Sequence, residues 1–143
     1  MLLVKGQEFN VTLEVDTHGD PVNGAAAHGN FDPSLLQLIS ITPGVTLPTI
    51  VRSSFDNHAG QADYVSRLPA GPASGRFVLA VLTFQAVAVS PGASFSFSTA
   101  EPRKTDITYY DQSVLQSLNP DVRVIIAATR DQYDYVYLPL VGR

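Results

Sequence analysis

Apolar and polar positions alternate along most of this chain with a period of two. Phe9, Val11, Leu13 and Val15 alternate with Asn10, Thr12, Glu14 and Asp16. That pattern predicts a strand with one buried and one solvated face. A second strand runs to Phe31, where Phe31-Asp32-Pro33 closes it. Asp32 can accept from backbone groups further on, and Pro33 removes a donor and fixes its own φ, so the chain turns. Ser34-Leu35-Leu36 makes the corner. Leu36, Leu38, Ile39 and Ile41 begin a third run, which Thr42-Pro43-Gly44 stops.

Further along, Pro48 sits inside the apolar segment Val45–Val51 and predicts a loop or an edge strand there. Arg52–Asn57 and Gln61–Leu68 read as a pair joined by His58-Ala59-Gly60, a hairpin connection. Arg76–Val89 is the most apolar stretch and lacks clean alternation. Its Ala and Leu content would suit a buried helix. Its β-branched and aromatic residues and its Pro and Gly brackets favour a strand, covered on both sides or bending between sheets. Ser90-Pro91-Gly92 predicts a turn, Ser94–Thr99 a strictly alternating strand, and Glu101-Pro102-Arg103-Lys104 a polar break. Thr105–Asp111 and Asp121–Ala128 complete the strand candidates. Ser34–Leu36 and Gln112–Leu118 are the only helical prospects, and no internal repeat occurs.

One block carries a family resemblance. Lys5-Gly6-Gln7-x-Phe9-x-Val11, Val22-Asn23-Gly24 before a strand, Phe31-Asp32-Pro33-x-x-Leu36 and the Ile41-x-Pro43-Gly44 stop resemble, in order, the cohesin domains. These are cellulosomal modules that bind dockerins. The resemblance implies an all-β, two-sheet jelly-roll sandwich of about nine strands over residues 1–128, similar in architecture to carbohydrate-binding modules. Residues 129–143 are then a C-terminal extension. Only Leu2-Leu3-Val4 can supply the family's first strand, as a short edge strand. The abrupt start suits a module cut from a larger parent chain or from behind a signal peptide.

The extension, TRDQYDYVYLPLVGR, alternates Tyr133, Tyr135 and Tyr137 with Asp134, Val136 and Leu138. It is expected to add a strand to an open sheet edge, of its own domain or by self-association with a neighbour's. The alternative is a linker to a further module.

Composition narrows the chemistry. The formal charge of −4, with no Lys/Arg cluster, argues against a nucleic-acid partner. No apolar run is long enough for a membrane helix. Cysteine is absent, so thiolate metal sites and disulfides are excluded. His18, His28 and His58 have no zinc-ligand spacing and read as exposed imidazoles. Asp16, Asp20 and Asp32 read as turn acceptors rather than as the facing carboxyls, about 5 to 9.5 Å apart, of a glycosidase. Asp16–Asp20 lacks the ligand count of a calcium loop. Gly71-Pro72-Ala73-Ser74-Gly75 is no nucleophile elbow, because it contains Pro and precedes a strand. The expectation is no enzyme, no metal and no cofactor.

What remains is surface recognition. With Phe31 inward, alternation turns Ala26, His28 and Asn30 outward; with Tyr64 inward, Asp63, Val65 and Arg67; with Phe55 inward, Arg52, Ser54 and Asp56. The expected partner-binding residues are therefore His28, Asn30, Arg52, Asp56, Asp63, Val65 and Arg67. The resemblance implies that this face takes a dockerin-like module in an extracellular or cell-surface protein, with Ca²⁺ belonging to the dockerin. Dockerin-binding cohesins commonly carry Asn and Asp where this chain has Gly24 and Ala26, which cannot make those hydrogen bonds. Two other readings stand beside it. One is a carbohydrate-binding module on polysaccharide, for which tryptophan is missing and Tyr109 and Tyr110 cannot both face out. The other is a structural spacer without a ligand.

Overall fold

The computed structural model describes residues 2–118 and 122–128. Every regular element among them is a strand: β1 (Leu2–Val4), β2 (Glu8–Asp16), β3 (Gly24–Phe31), β4 (Leu36–Pro43), β5 (Thr49–Asp56), β6 (Gln61–Arg67), β7 (Arg76–Ala86), β8 (Ser90–Phe97), β9 (Asp106–Tyr109), β10 (Gln112–Ser113) and β11 (Val122–Ala127). They form two layers. The larger sheet has the order β1-β11-β8-β3-β6-β5, with β9 beside β3 and β10 beside β9; the smaller has the order β2-β7-β4. The expected all-β sandwich is therefore present. Eleven strands replace about nine because β1 is three residues long, β10 is two, and β8 and β9 share one edge of β3 in succession. The expected strand in residues 129–143 lies outside the described residues.

The inner faces of both sheets supply the core, as period two requires. Phe84 of β7 is fully buried at its centre. Phe9 stacks on it at 5.7 Å, and Phe31 and Phe95 meet it edge-on at 5.2 and 5.8 Å. Leu36, Leu82, Tyr64, Val124 and Ile126 complete the dense part. Gly29 faces inward on β3, and a Cβ there would stand 2.1 Å from the Phe95 ring. That ring is packed edge-on against Phe84 and Phe97. A Gly29→Ala variant should lose about 1–3 kcal/mol, the usual cost of overpacking, read as a lower midpoint in urea.

The turns behave as their residues dictate. Asp32 Oδ1 accepts from the Ser34 N–H at 2.9 Å and from its hydroxyl, and the Asp32 carbonyl accepts from Leu35 and Leu36. The β5–β6 hairpin closes at Gly60, whose φ of +70° and whose approach to the Phe31 carbonyl both exclude a side chain.

Several expectations need correction. Arg76–Val89 is a strand through Ala86, but it stays in one sheet and is covered on one face. Its irregular pattern comes from a bulge: Leu13 faces Ala80 and Glu14 faces Val78, so Leu79 is the extra residue and the inward parity shifts. Val78 is consequently exposed. A second bulge explains the third apolar run. Leu38 faces Phe84 and Ser40 faces Thr83, so Ile39 is ejected to solvent and Ile41 returns to the core. Neither helical prospect forms: residues 34–36 are turn and strand start, and 112–118 are a short strand and loop. Phe55 does not point into a core. It is 41% exposed, because β5 is the edge of the wide sheet and overhangs the three-stranded layer.

Candidate functional site

The outer face of the larger sheet is built from β3, β6, β5 and the β8/β9 edge. Register places its residues in rows. Asn30, Gln61 and Asp56 share one row; His28, Asp63 and Ser54 the next; Ala26, Val65 and Arg52 the third; Gly24, Arg67 and Thr49 the fourth. Ser96, Asp106 and Thr108 extend the first, third and fourth rows onto β8 and β9. All seven residues singled out from the sequence thus stand on one face.

They do not stand equally open. Arg52, Asp56 and Arg67 are exposed, and Asn30 and Val65 are half-buried. His28 and Asp63 are 8% and 5% exposed, so His28 is not the exposed imidazole that its sequence position predicts. Its parity is as expected, away from Phe31. The cover comes from residues 98–105. β8 leaves β3 after Phe97, opposite Gly29, and β9 rejoins it at Asp106, opposite Ala26. Between them the chain rises over the sheet. Ser98 N–H donates to the His28 carbonyl at 2.7 Å, and Thr105 N–H donates to Ser98 O at 3.0 Å, which pinches the loop shut. The Thr105 hydroxyl completes the ladder by donating to the His28 carbonyl and accepting from the His28 N–H.

This pinch lays Arg103 across β3 and β6. Its Nε donates to Asp63 Oδ1 at 2.9 Å, one terminal nitrogen donates to Asn30 Oδ1 at 2.6 Å, and the other donates to the carbonyls of Gly29 and Ala62. Asp63 Oδ1 also accepts from His28 Nδ1 at 2.7 Å. An ionised carboxylate only accepts, so Nδ1 carries the proton. Arg52 approaches Oδ2 at 3.4 Å from the solvent side. Burial pushes the Asp63 carboxyl up, but the hydrogen bonds and charges of His28 and Arg103 outweigh it and hold the group below 3.8. Asp63 is therefore a buried anion that organises the face, and its contacts are already taken. Asp56 is partly committed too: Oδ1 accepts from the N–H groups of His58 and Ala59, and these bonds lower its pKa.

The ground left open lies in the third and fourth rows. Gly24, Ala26, Val65 and Thr108 make a shallow floor of small side chains. Arg52, Arg67 and Asp106 stand around it. Asp106 is fixed by the Ser113 hydroxyl at 2.6 Å and by the Ile107 N–H. A low apolar floor with a charged rim suits a protruding partner surface. The lack of any long side chain at Gly24 and Ala26, a departure read from the sequence, is what makes the floor low. Sequence reasoning missed Arg103, treating 101–104 as a plain polar break. Its only signal is a lone Arg in a Pro-containing loop, which names no target.

Among the described residues no group of three His, Cys, Asp or Glu side chains could hold a metal ion. The Tyr109 and Tyr110 rings lie 4.6 Å apart at 59°, with Tyr110 exposed at the β9–β10 turn. Rings so tilted do not form a flat platform for a sugar face.

No known family's sequence pattern matches the chain, and no curated protein sequence matches it either. Solved structures do. The third cohesin of ScaC from Acetivibrio cellulolyticus, solved in complex with the ScaB dockerin, superposes with a TM-score of 0.73 at 18% identity, covering 89% of this chain and 94% of that one. CaCohA2 of Clostridium acetobutylicum gives 0.71 at 13% identity, over 88% and 86%. A non-cellulosomal cohesin from the archaeon Archaeoglobus fulgidus gives 0.69 at 12% identity, over 94% and 91%. At these identities the likeness is one of fold, and by its two layers and these neighbours the chain has the fold of the cohesin domains.

Proposed function

We propose that this protein is a non-catalytic recognition module that binds a dockerin-like partner through the outer face of its larger sheet, in an extracellular or cell-surface setting. The observation that carries this reading is the open ground around Val65. Small residues on three adjacent strands form a floor, and Arg52, Arg67 and Asp106 rim it. The similar structures that hold a dockerin lend the partner class. The loop at 98–105 narrows the footprint, since it occupies the space above His28 and Asp63.

Calorimetric titration against a panel of calcium-loaded dockerin modules tests the reading. Arg67→Ala and Arg52→Ala should each weaken binding by about 1–2 kcal/mol, roughly five- to thirtyfold in Kd, with most of the change in dissociation rate. Neither exposed Arg supports the core, so folding should be unaffected. A panel without any binder, beside binding to insoluble polysaccharide, would sink the proposal.

A further inference from the structure

β5 ends the larger sheet. It pairs with β6 on one side and with no described strand on the other. The ladder decides which of its backbone groups meet solvent. Phe31 N–H donates to the Gly60 carbonyl at 2.9 Å, so Asn30 and Gln61 are a non-hydrogen-bonded pair and the Gln61 backbone groups turn toward β5. Asp56, Ser54 and Arg52 therefore bond to β6, while Ser53 and Phe55 hold their N–H and carbonyl groups out at the bare edge. Edges of this kind are usually blunted by Lys, by Pro or by a bulge. Arg52–Asp56 contains neither residue, and the bulge at Val51 lies outside it. The Phe55 side chain is exposed beside the same edge. Two opposite charges stand there too. Asp56 Oδ1 is taken by the N–H groups of His58 and Ala59, but Oδ2 has no described partner. Arg52 spends Nε on the Ser54 hydroxyl and one terminal nitrogen on Asp63, which leaves the other terminal nitrogen open.

We propose that this edge pairs with β5 of a second copy, antiparallel, about a two-fold axis at Ser54. Residues that oppose each other in an antiparallel pair share one side of the sheet, so an outward residue must meet an outward one. Of the axes from Arg52 to Asp56 that satisfy this rule, the one at Ser54 alone sets Arg52 opposite Asp56 of the second copy. The two-fold makes that pair twice. An axis at Arg52 or at Asp56 would set like charges face to face, which is destabilising. The same axis opposes Ser53 to Phe55 of the second copy. Those are the residues whose backbone groups face out, so they exchange four main-chain hydrogen bonds. The two Phe55 side chains become diagonal neighbours on the inner side, about 7–8 Å apart and within reach of each other. The outer faces stay on one side, so the two Val65 floors lie on a single continuous surface. Five paired residues a side bury less than about 1,200 Å², the lower bound of a standard interface. The expected dimer is accordingly weak, with a Kd on the order of 10–100 μM. The inference does not depend on the identity of the partner bound at the floor.

Sedimentation of the full chain over a range of concentrations, with cross-linking of single-cysteine variants, provides the test. The chain has no cysteine of its own. Ser54→Cys sets two thiols opposite each other with Cα atoms about 4.5 Å apart, within the span of a disulfide. Mild oxidation should join this variant at least about tenfold faster than Ser53→Cys, whose thiols are diagonal and too far apart. Ser53→Pro removes an N–H from the dimer contact and none from the β6 ladder, and Pro is tolerated on an edge. It should weaken association about tenfold or more and leave the monomer folded. Should that variant fail to fold, amide exchange of the unaltered chain serves instead: the Ser53 and Phe55 amides should gain protection as concentration rises. A chain that stays monomeric at about 1 mM, tenfold above the expected range, would overturn the proposal. So would cross-linking no faster at position 54 than at 53, or a dimer untouched by Ser53→Pro. Equal protection of the two amides at every concentration would also overturn it, by giving the edge to a segment of the same chain.

Discussion

An Asp63→Asn variant should lose about 3 kcal/mol of folding stability at neutral pH, read from urea unfolding with an unchanged slope. The substitution keeps the shape of the side chain and removes its charge. Arg103, only 20% exposed at its side chain, is then left over the sheet without its counter-ion, and His28 keeps only a neutral amide oxygen as its acceptor. Breaking a buried pair from one side is costly because the remaining charge stays desolvated. Arg103→Ala should cost a similar amount, and the double variant much less than the sum, because both remove one interaction. A loss under about 0.5 kcal/mol in both single variants would mean that the cluster is merely a solvated ion pair.

The same carboxylate makes a pH prediction. Its folded pKa lies below the unfolded value of 3.8. Its contribution is therefore complete above that value and is lost as pH falls through the lower folded one. The melting temperatures of wild type and Asp63→Asn should differ most near neutrality and converge in acid. A gap that stays constant from neutrality into strong acid would contradict the assignment of Asp63 as an ionised, paired group.

Phe84→Ala should be the most damaging core substitution, costing about 3–5 kcal/mol. Phe84 is completely buried and touches three other rings, Phe9 from β2, Phe31 from β3 and Phe95 from β8. It thereby links both sheets, and a void there cannot be refilled from solvent. Phe9→Ala should cost less, since Phe9 is only partly buried and stacks on one face of Phe84. Equilibrium unfolding of the two variants gives the order. If Phe9→Ala proved the worse, the centre of the core would lie nearer the β1–β2 corner.

Much of this architecture is legible in the chain itself. The alternation of Val11, Leu13 and Val15, the Asp32-Pro33 corner and the His58–Gly60 connection name strands and turns that are present. The parity argument also puts His28, Asn30, Asp63, Val65, Arg67, Arg52 and Asp56 on one sheet face, since a strand's two sides follow from its backbone alone. Parity fails where a residue is inserted. Neither the bulge at Leu79 nor the one at Ile39 has a local marker, because a bulge is defined against a partner strand. Their effect in the sequence is only a blurred pattern.

Sequence by itself therefore settles most of the strands and, where no residue is inserted, which side of a strand each residue takes, because both depend on local sterics and on a period of two. It misses the short strand at Gln112–Ser113 and reads Ser90–Gly92, the start of β8, as a turn. Tertiary structure alone decides what covers each side. Phe55 is on the inner side of β5, yet wet, because the opposing sheet is three strands wide. His28 and Asp63 are on the outer side, yet dry, because Arg103 arrives from a loop about forty residues beyond Asp63 in the chain. Burial is a property of two surfaces that meet, and only the folded chain brings the second one.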